Sequence, residues 1–176
     1  MRILLFTTTH NGLSQRTYVE LVERGHTVSV QPVNSEAAME AAAAHFQPQL
    51  IIASFLKKAV PARLLQKYTV LSVRSGAGAD RGAATVDGNI SENLQNWRIT
   101  LFQANAERDI ISNHSISQSF GRHMNGKNSF YKHHVAQAVV HDILETVEKY
   151  DRKTFAANAL EMIDSMIKTR LQSTYF

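Results

Sequence analysis

The stretch from Gly76 to Gly82 has the composition of an anion-binding loop, since Gly76, Gly78, Asp80, Arg81 and Gly82 combine backbone freedom with a guanidinium and a carboxylate. Closely spaced glycines let backbone N–H groups converge on one point, and an arginine beside them adds a planar donor fork. The ligands that suit such a nest are a phosphate, a carboxylate or a pterin-type amide. Without a ligand the same residues read as a crossover loop with a solvated Asp80–Arg81 ion pair. His10 lies in a second loop, Thr7-Thr-Thr-His-Asn-Gly12, and carries the side chain whose ordinary pKa lies nearest neutrality.

The eight histidines do not form a helical metal motif. His133 and His134 are adjacent and His134 and His141 lie two turns apart, so neither pair has the i, i+4 spacing that brings two imidazoles to one ion. No metal is expected. The chain has no cysteine, which excludes a thiol nucleophile, thiolate ligands and disulfides and is compatible with a reducing cytoplasm. Ser14 stands in no GxSxG elbow, so serine hydrolysis has no support. Arg81 occupies the position where the third glycine of a GxGxxG fingerprint would follow Gly76 and Gly78, and GxxxxGK[ST] is absent. Dinucleotide binding and P-loop chemistry are therefore disfavoured.

These loops need a scaffold, and the apolar pattern supplies one. Arg2 to Thr7 reads as a strand, and Tyr18, Leu21 and Val22 mark a helix closed by Gly25. Thr27 to Val30 is a second strand. Ser35 then caps a helix whose Met39, Ala42, Ala43 and Phe46 share a face. Leu50 to Ala53 is a continuous apolar run of the kind found in a parallel strand covered on both faces. Pro61 suits the first turn of a short helix through Lys67, and Thr69 to Val73 makes a fourth strand that empties into the glycine loop.

Trp97 to Phe102 predicts a fifth strand, and Ile110 to Ser119 a weaker strand or a loop. Val135, Val139, Ile143 and Val147 predict a long helix, and Ala156, Leu160, Ile163, Ile167 and Leu171 another. The apolar face of that last helix, from Phe155 to Leu171, belongs against its own core, or alternatively docks a second copy or a missing domain. The fold class is therefore α/β, a mostly parallel sheet flanked by helices, with its ligand site outside the carboxyl ends of the strands.

At 176 residues, 44% hydrophobic and 19% charged, the chain has the size and composition of one compact domain with a real core. Residues 1–151 form the expected α/β domain and residues 152–176 a helical extension. Apolar stretches fall far short of the roughly 20 residues of a membrane-spanning helix. Met1 to Phe6 resembles the start of a signal peptide, but polar Thr7 to Asn11 follow at once. A soluble, cytoplasmic protein without a membrane partner is expected. The formal charge of +4 favours an anionic small molecule, and no basic run of the kind used on nucleic acid is present.

Four stretches carry a family resemblance. They are Met1-Arg-Ile-Leu-Leu-Phe with Asn11-Gly-Leu-Ser-Gln-Arg16; Glu23-Arg-Gly-His-Thr-Val-Ser-Val30; Phe46-Gln-Pro-Gln-Leu-Ile-Ile52 with Phe55-Leu-Lys57 and Pro61; and Val73 to Asp87. Ile99-Thr-Leu-Phe-Gln-Ala104 and Lys127-Asn-Ser-Phe-Tyr131 continue the pattern in order. Through nearly all of residues 1–151 the chain resembles the formyltransferase N-terminal fold, specifically the first domain of the HypX/HoxX family of nickel-iron hydrogenase maturation proteins.

That resemblance implies transfer of a formyl group from 10-formyltetrahydrofolate, with a hydratase-like partner protein for the half of the family that this length cannot hold. It also implies a pocket for the folate that includes Phe55, Leu56, Lys57, Ser72, Asp80, Arg81 and Gly82. Ser72 stands where classical relatives carry asparagine. The family's catalytic histidine, in Val-His-Pro-Gly, corresponds to Arg74 of Val73-Arg-Ser-Gly76, and its catalytic aspartate to Asp109 of Arg108-Asp-Ile-Ile111. An arginine can stabilise an oxyanion but cannot cycle as a base near neutral pH, so proton transfer would pass to another group such as His10. The alternative is an inactive relative that retains the fold as a ligand-binding or assembly module.

Overall fold

The computed structural model describes residues 1–54, 56–76, 96–104, 110–117 and 136–173. Its contacts divide the chain into two compact units, Met1–Leu144 and Glu145–Phe176.

The first unit is built on one six-stranded sheet, β1 (Arg2–Thr7), β2 (Thr27–Pro32), β3 (Leu50–Ser54), β4 (Thr69–Gly76), β5 (Asn96–Gln103) and β6 (Ile110–Ser117), in the order β2-β1-β3-β4-β5-β6. The first four strands are parallel, and β5 and β6 join antiparallel. The segment 110–117, read from the sequence as a weaker strand or a loop, is thus the outer strand of the sheet. β1 and β3 each have a strand on both sides, and Ile3 to Thr7 and Leu50 to Ser54 are buried throughout.

Alternation along these strands sorts the core into two layers. Leu4, Phe6, Ile51, Ala53 and Val70 pack with Met39 and Ala43 of α2 (Glu36–Phe46) and Leu64 of α3 (Ala62–Lys67). Ile3, Leu5, Leu50, Ile52, Leu71 and Val73 are buried on the opposite face. The helix between β1 and β2, α1 (Gly12–Glu23), buries Leu13, Thr17 and Leu21. Pro61 precedes α3 as its cap residue, one position earlier than its placement in the first turn, because its extended ψ of 147° lies outside the helix.

The helix ends follow local chemistry. Asn11 and Ser14 cap α1 reciprocally: Asn11 Oδ1 accepts from the Ser14 N–H at 2.9 Å and Ser14 Oγ accepts from the Asn11 N–H at 3.1 Å. At the other end, the Gly25 N–H donates to the Val22 carbonyl and the His26 N–H to the Leu21 carbonyl, at 2.9 and 3.1 Å. This is a Schellman closure, and it needs the left-handed φ of +82° that Gly25 adopts. A Cβ built on Gly25 meets nothing within 4 Å, so only backbone strain opposes a side chain there. Gly25→Ala should therefore lower unfolding stability by about 1–2 kcal/mol in a urea titration.

The two helices expected at the carboxyl end are a single helix, α4 (Ala136–Ser173), of 38 residues. Val147 and Ala156 are nine positions apart, half a turn out of phase, so the apolar stripe changes sides and looks like two helices in sequence. No glycine or proline interrupts 136–173, and ion pairs between Glu145 and Lys149 and between Glu148 and Arg152 span the change of phase. Within the first unit, Ala136, Val139, Val140 and Ile143 of α4 are buried. In the second unit, Phe155, Leu160, Met162 and Ile163 are 77%, 68%, 65% and 52% exposed. Among the described residues, no helix is long and apolar enough to cross a membrane.

Candidate functional site at the carboxyl ends of the strands

The parallel strands end in one row. Thr7 of β1 is paired with Pro32 of β2, Ser54 of β3 with Val73 of β4, and Val73 in turn with Leu101 of β5. Thr7 follows Phe6, which is paired with Ala53, so Thr7 and Ser54 stand side by side across β1 and β3. β4 alone among the parallel strands continues past this row, through Arg74, Ser75 and Gly76, held by the antiparallel pairs Arg74–Thr100, Ser75–Ile99 and Gly76–Arg98. Arg74 is thus the first residue of β4 beyond the end of β3, at the mouth of the sheet where an open α/β fold binds ligands.

Each element contributes what its sequence allows. His10 is exposed in the β1–α1 loop, immediately before the cap residue Asn11. In the same loop the Thr7 hydroxyl donates to the Thr9 carbonyl at 2.7 Å, and the Thr7 carbonyl accepts from the Val33 N–H at 2.8 Å. The first turn of α1 carries no acidic residue of its own. After β3, Leu56 is half-buried against the α2–α3 layer and Lys57 is exposed. Ser72 is half-buried on β4, between its partners Ala53 and Phe102.

The structure therefore brings His10, Leu56, Lys57, Ser72 and Arg74 to strands and loops at this end of the sheet. Phe55, Asp80, Arg81, Gly82 and Asp109 lie outside the described residues. Among the described residues no cluster of histidine, aspartate and glutamate suited to a metal is present.

One residue was missed. Ser54 is 6% exposed, and its Oγ has no hydrogen-bond partner among the described residues. Three other buried hydroxyls are satisfied: Thr7 by Thr9, Ser14 by the Asn11 backbone, and Thr17 by the Leu13 carbonyl at 2.8 Å. An unpaired buried hydroxyl costs about 1–3 kcal/mol. The sequence did carry a sign of it, as the polar residue that closes the apolar run Leu50 to Ala53.

No family model matches the chain. It is 35% identical over 171 residues to the hydrogenase maturation factor HoxX of Bradyrhizobium diazoefficiens, covering 97% of this chain and 30% of that protein. The structure of HypX from Aquifex aeolicus in complex with tetrahydrofolic acid superposes with a TM-score of 0.76 at 36% identity, over 86% of this chain and 27% of HypX. The chain has a formyltransferase fold similar to part of HypX/HoxX. Phosphoribosylglycinamide formyltransferase from Bacillus halodurans, at 13% identity, shares the fold alone, with a TM-score of 0.58 over 81% of this chain and 90% of that enzyme. The HypX/HoxX-like chain thus spans less than a third of the length of these HoxX and HypX proteins.

Proposed function

We propose that this HypX/HoxX-like chain binds a reduced folate at the carboxyl ends of its parallel strands and handles a formyl group there, as one part of nickel-iron hydrogenase maturation in the cytoplasm. The observation that carries the reading is the 35% identity to HoxX across 97% of the chain, joined by the likeness to a HypX structure that holds tetrahydrofolic acid. The residues present suit such a ligand. A folate presents amide and ring donors and acceptors, and Ser54 offers a buried hydroxyl with unused hydrogen-bonding capacity at the mouth.

When bound, 10-formyltetrahydrofolate would supply an activated formyl carbon. The chain's own residues would do the rest: Leu56 and Lys57, with Phe55 and Asp80 to Gly82, hold the ring system, and Arg74 stabilises negative charge that develops on the formyl oxygen. Asp109 orients or accepts the proton of the attacking group, with His10 as a second acid/base candidate in the adjoining loop. Residues 1–151 act as the formyl-handling domain, and the later steps belong to a hydratase-like polypeptide. The exposed Phe155, Leu160, Met162 and Ile163 supply apolar surface for such a partner or for a second copy of the chain.

Arg74 favours a second reading, a relative that keeps the pocket without catalysis, because a guanidinium cannot cycle as the base that the family's histidine provides. Formyl release from 10-formyltetrahydrofolate, measured for the wild type against buffer, separates the two. Release above background supports transfer, whereas binding without release leaves the pocket-only protein.

A further inference from the structure

We propose that Ser54 is a ligand-contacting residue of this crevice, its hydroxyl donating to the ring amide carbonyl oxygen of the bound folate. The inference rests on the folate reading above and goes beyond it by naming a contact that neither the sequence motifs nor the relatives assign.

Three observations carry it. Ser54 occupies the last paired row of the parallel sheet, between Thr7 on one side and Val73 on the other, directly beneath the point where β4 runs on alone. Its hydroxyl is more than nine-tenths buried and has no partner among the described residues, whereas the buried hydroxyls of Thr7, Ser14 and Thr17 are each engaged by nearby backbone. Neither flanking residue of the row pairs with it: Val73 is apolar and buried, and the Thr7 hydroxyl is turned to the Thr9 carbonyl. Buried polar groups in folded proteins are ordinarily paired, so an orphan at the mouth of a binding fold marks a contact completed by something that is not part of the chain.

Ser54→Ala removes the oxygen and almost no volume, and two measurements on the full chain test it. Free of ligand, the variant should melt at the same temperature as the wild type or slightly higher, since an unsatisfied group has been deleted. In calorimetric titration with tetrahydrofolate its affinity should fall about 5- to 10-fold, the loss of one hydrogen bond. A lower melting temperature of the free variant would show that the hydroxyl has a structural partner and would overturn the proposal. So would unchanged affinity in a wild type that binds. Failure of the wild type itself to bind tetrahydrofolate is a different result: it removes the folate reading, and this inference with it.

Discussion

Arg74→His should raise formyl release from 10-formyltetrahydrofolate by about 10²-fold or more, the usual contribution of a positioned acid/base group. The reasoning is local. β4 carries residue 74 past the end of β3, and the antiparallel pairing with Thr100 fixes its backbone, so a histidine introduced there inherits the placement without rebuilding the strand. An imidazole can take up and return a proton near neutral pH, which arginine cannot. Folate affinity should change far less than the rate, because the exchange alters proton handling more than the pocket. Equal rates in the two proteins would show that the acid/base function resides elsewhere or that the surrounding geometry has been lost.

In that same Arg74→His background, Asp109→Ala should remove the gain and return release to within a few-fold of background, a loss on the order of 10²-fold. Asp109 is assigned by resemblance, as the best counterpart of the family's aspartate in Met-Asp-Ala-Gly-Asp-Ile, in a segment Arg108-Asp-Ile-Ile111 that lacks the motif's glycine. The measurement is a single-turnover formyl-release assay on the double variant beside each single variant. If the double variant keeps the rate of Arg74→His, Asp109 has no part in proton transfer and its assignment by resemblance fails.

How much of this was legible in the sequence depended on whether a local pattern had a single physical solution. Leu50 to Ala53 could be read as a central parallel strand because four consecutive apolar residues are stable only where both faces are covered, and β3 is buried along its length. Gly25 marked the end of α1 because few other residues adopt its φ without strain. The carboxyl-terminal helix reads as two in sequence because its apolar stripe crosses to the other side between Val147 and Ala156, while the backbone continues unbroken. Periodicity reports which face is apolar, and a change of face is not a break in the helix.

The site divided in the same way. Loop positions such as His10 and strand-end positions such as Arg74 follow from the order of elements, so the mouth of the sheet could be located in advance. Ser54 could not be singled out, because its significance comes from what fails to surround it. The engagement of Thr7 with Thr9 and the apolar character of Val73 and Leu101 become visible only when the strands are aligned in register.

The central claim is that this crevice accepts a reduced folate, and calorimetric titration of the wild-type chain with tetrahydrofolate tests it most directly. Saturable binding at one site per chain, with a dissociation constant on the order of 1–100 μM, typical of enzyme substrates, is the predicted result. An absence of saturable heat up to millimolar ligand, from protein that melts cooperatively, would contradict it.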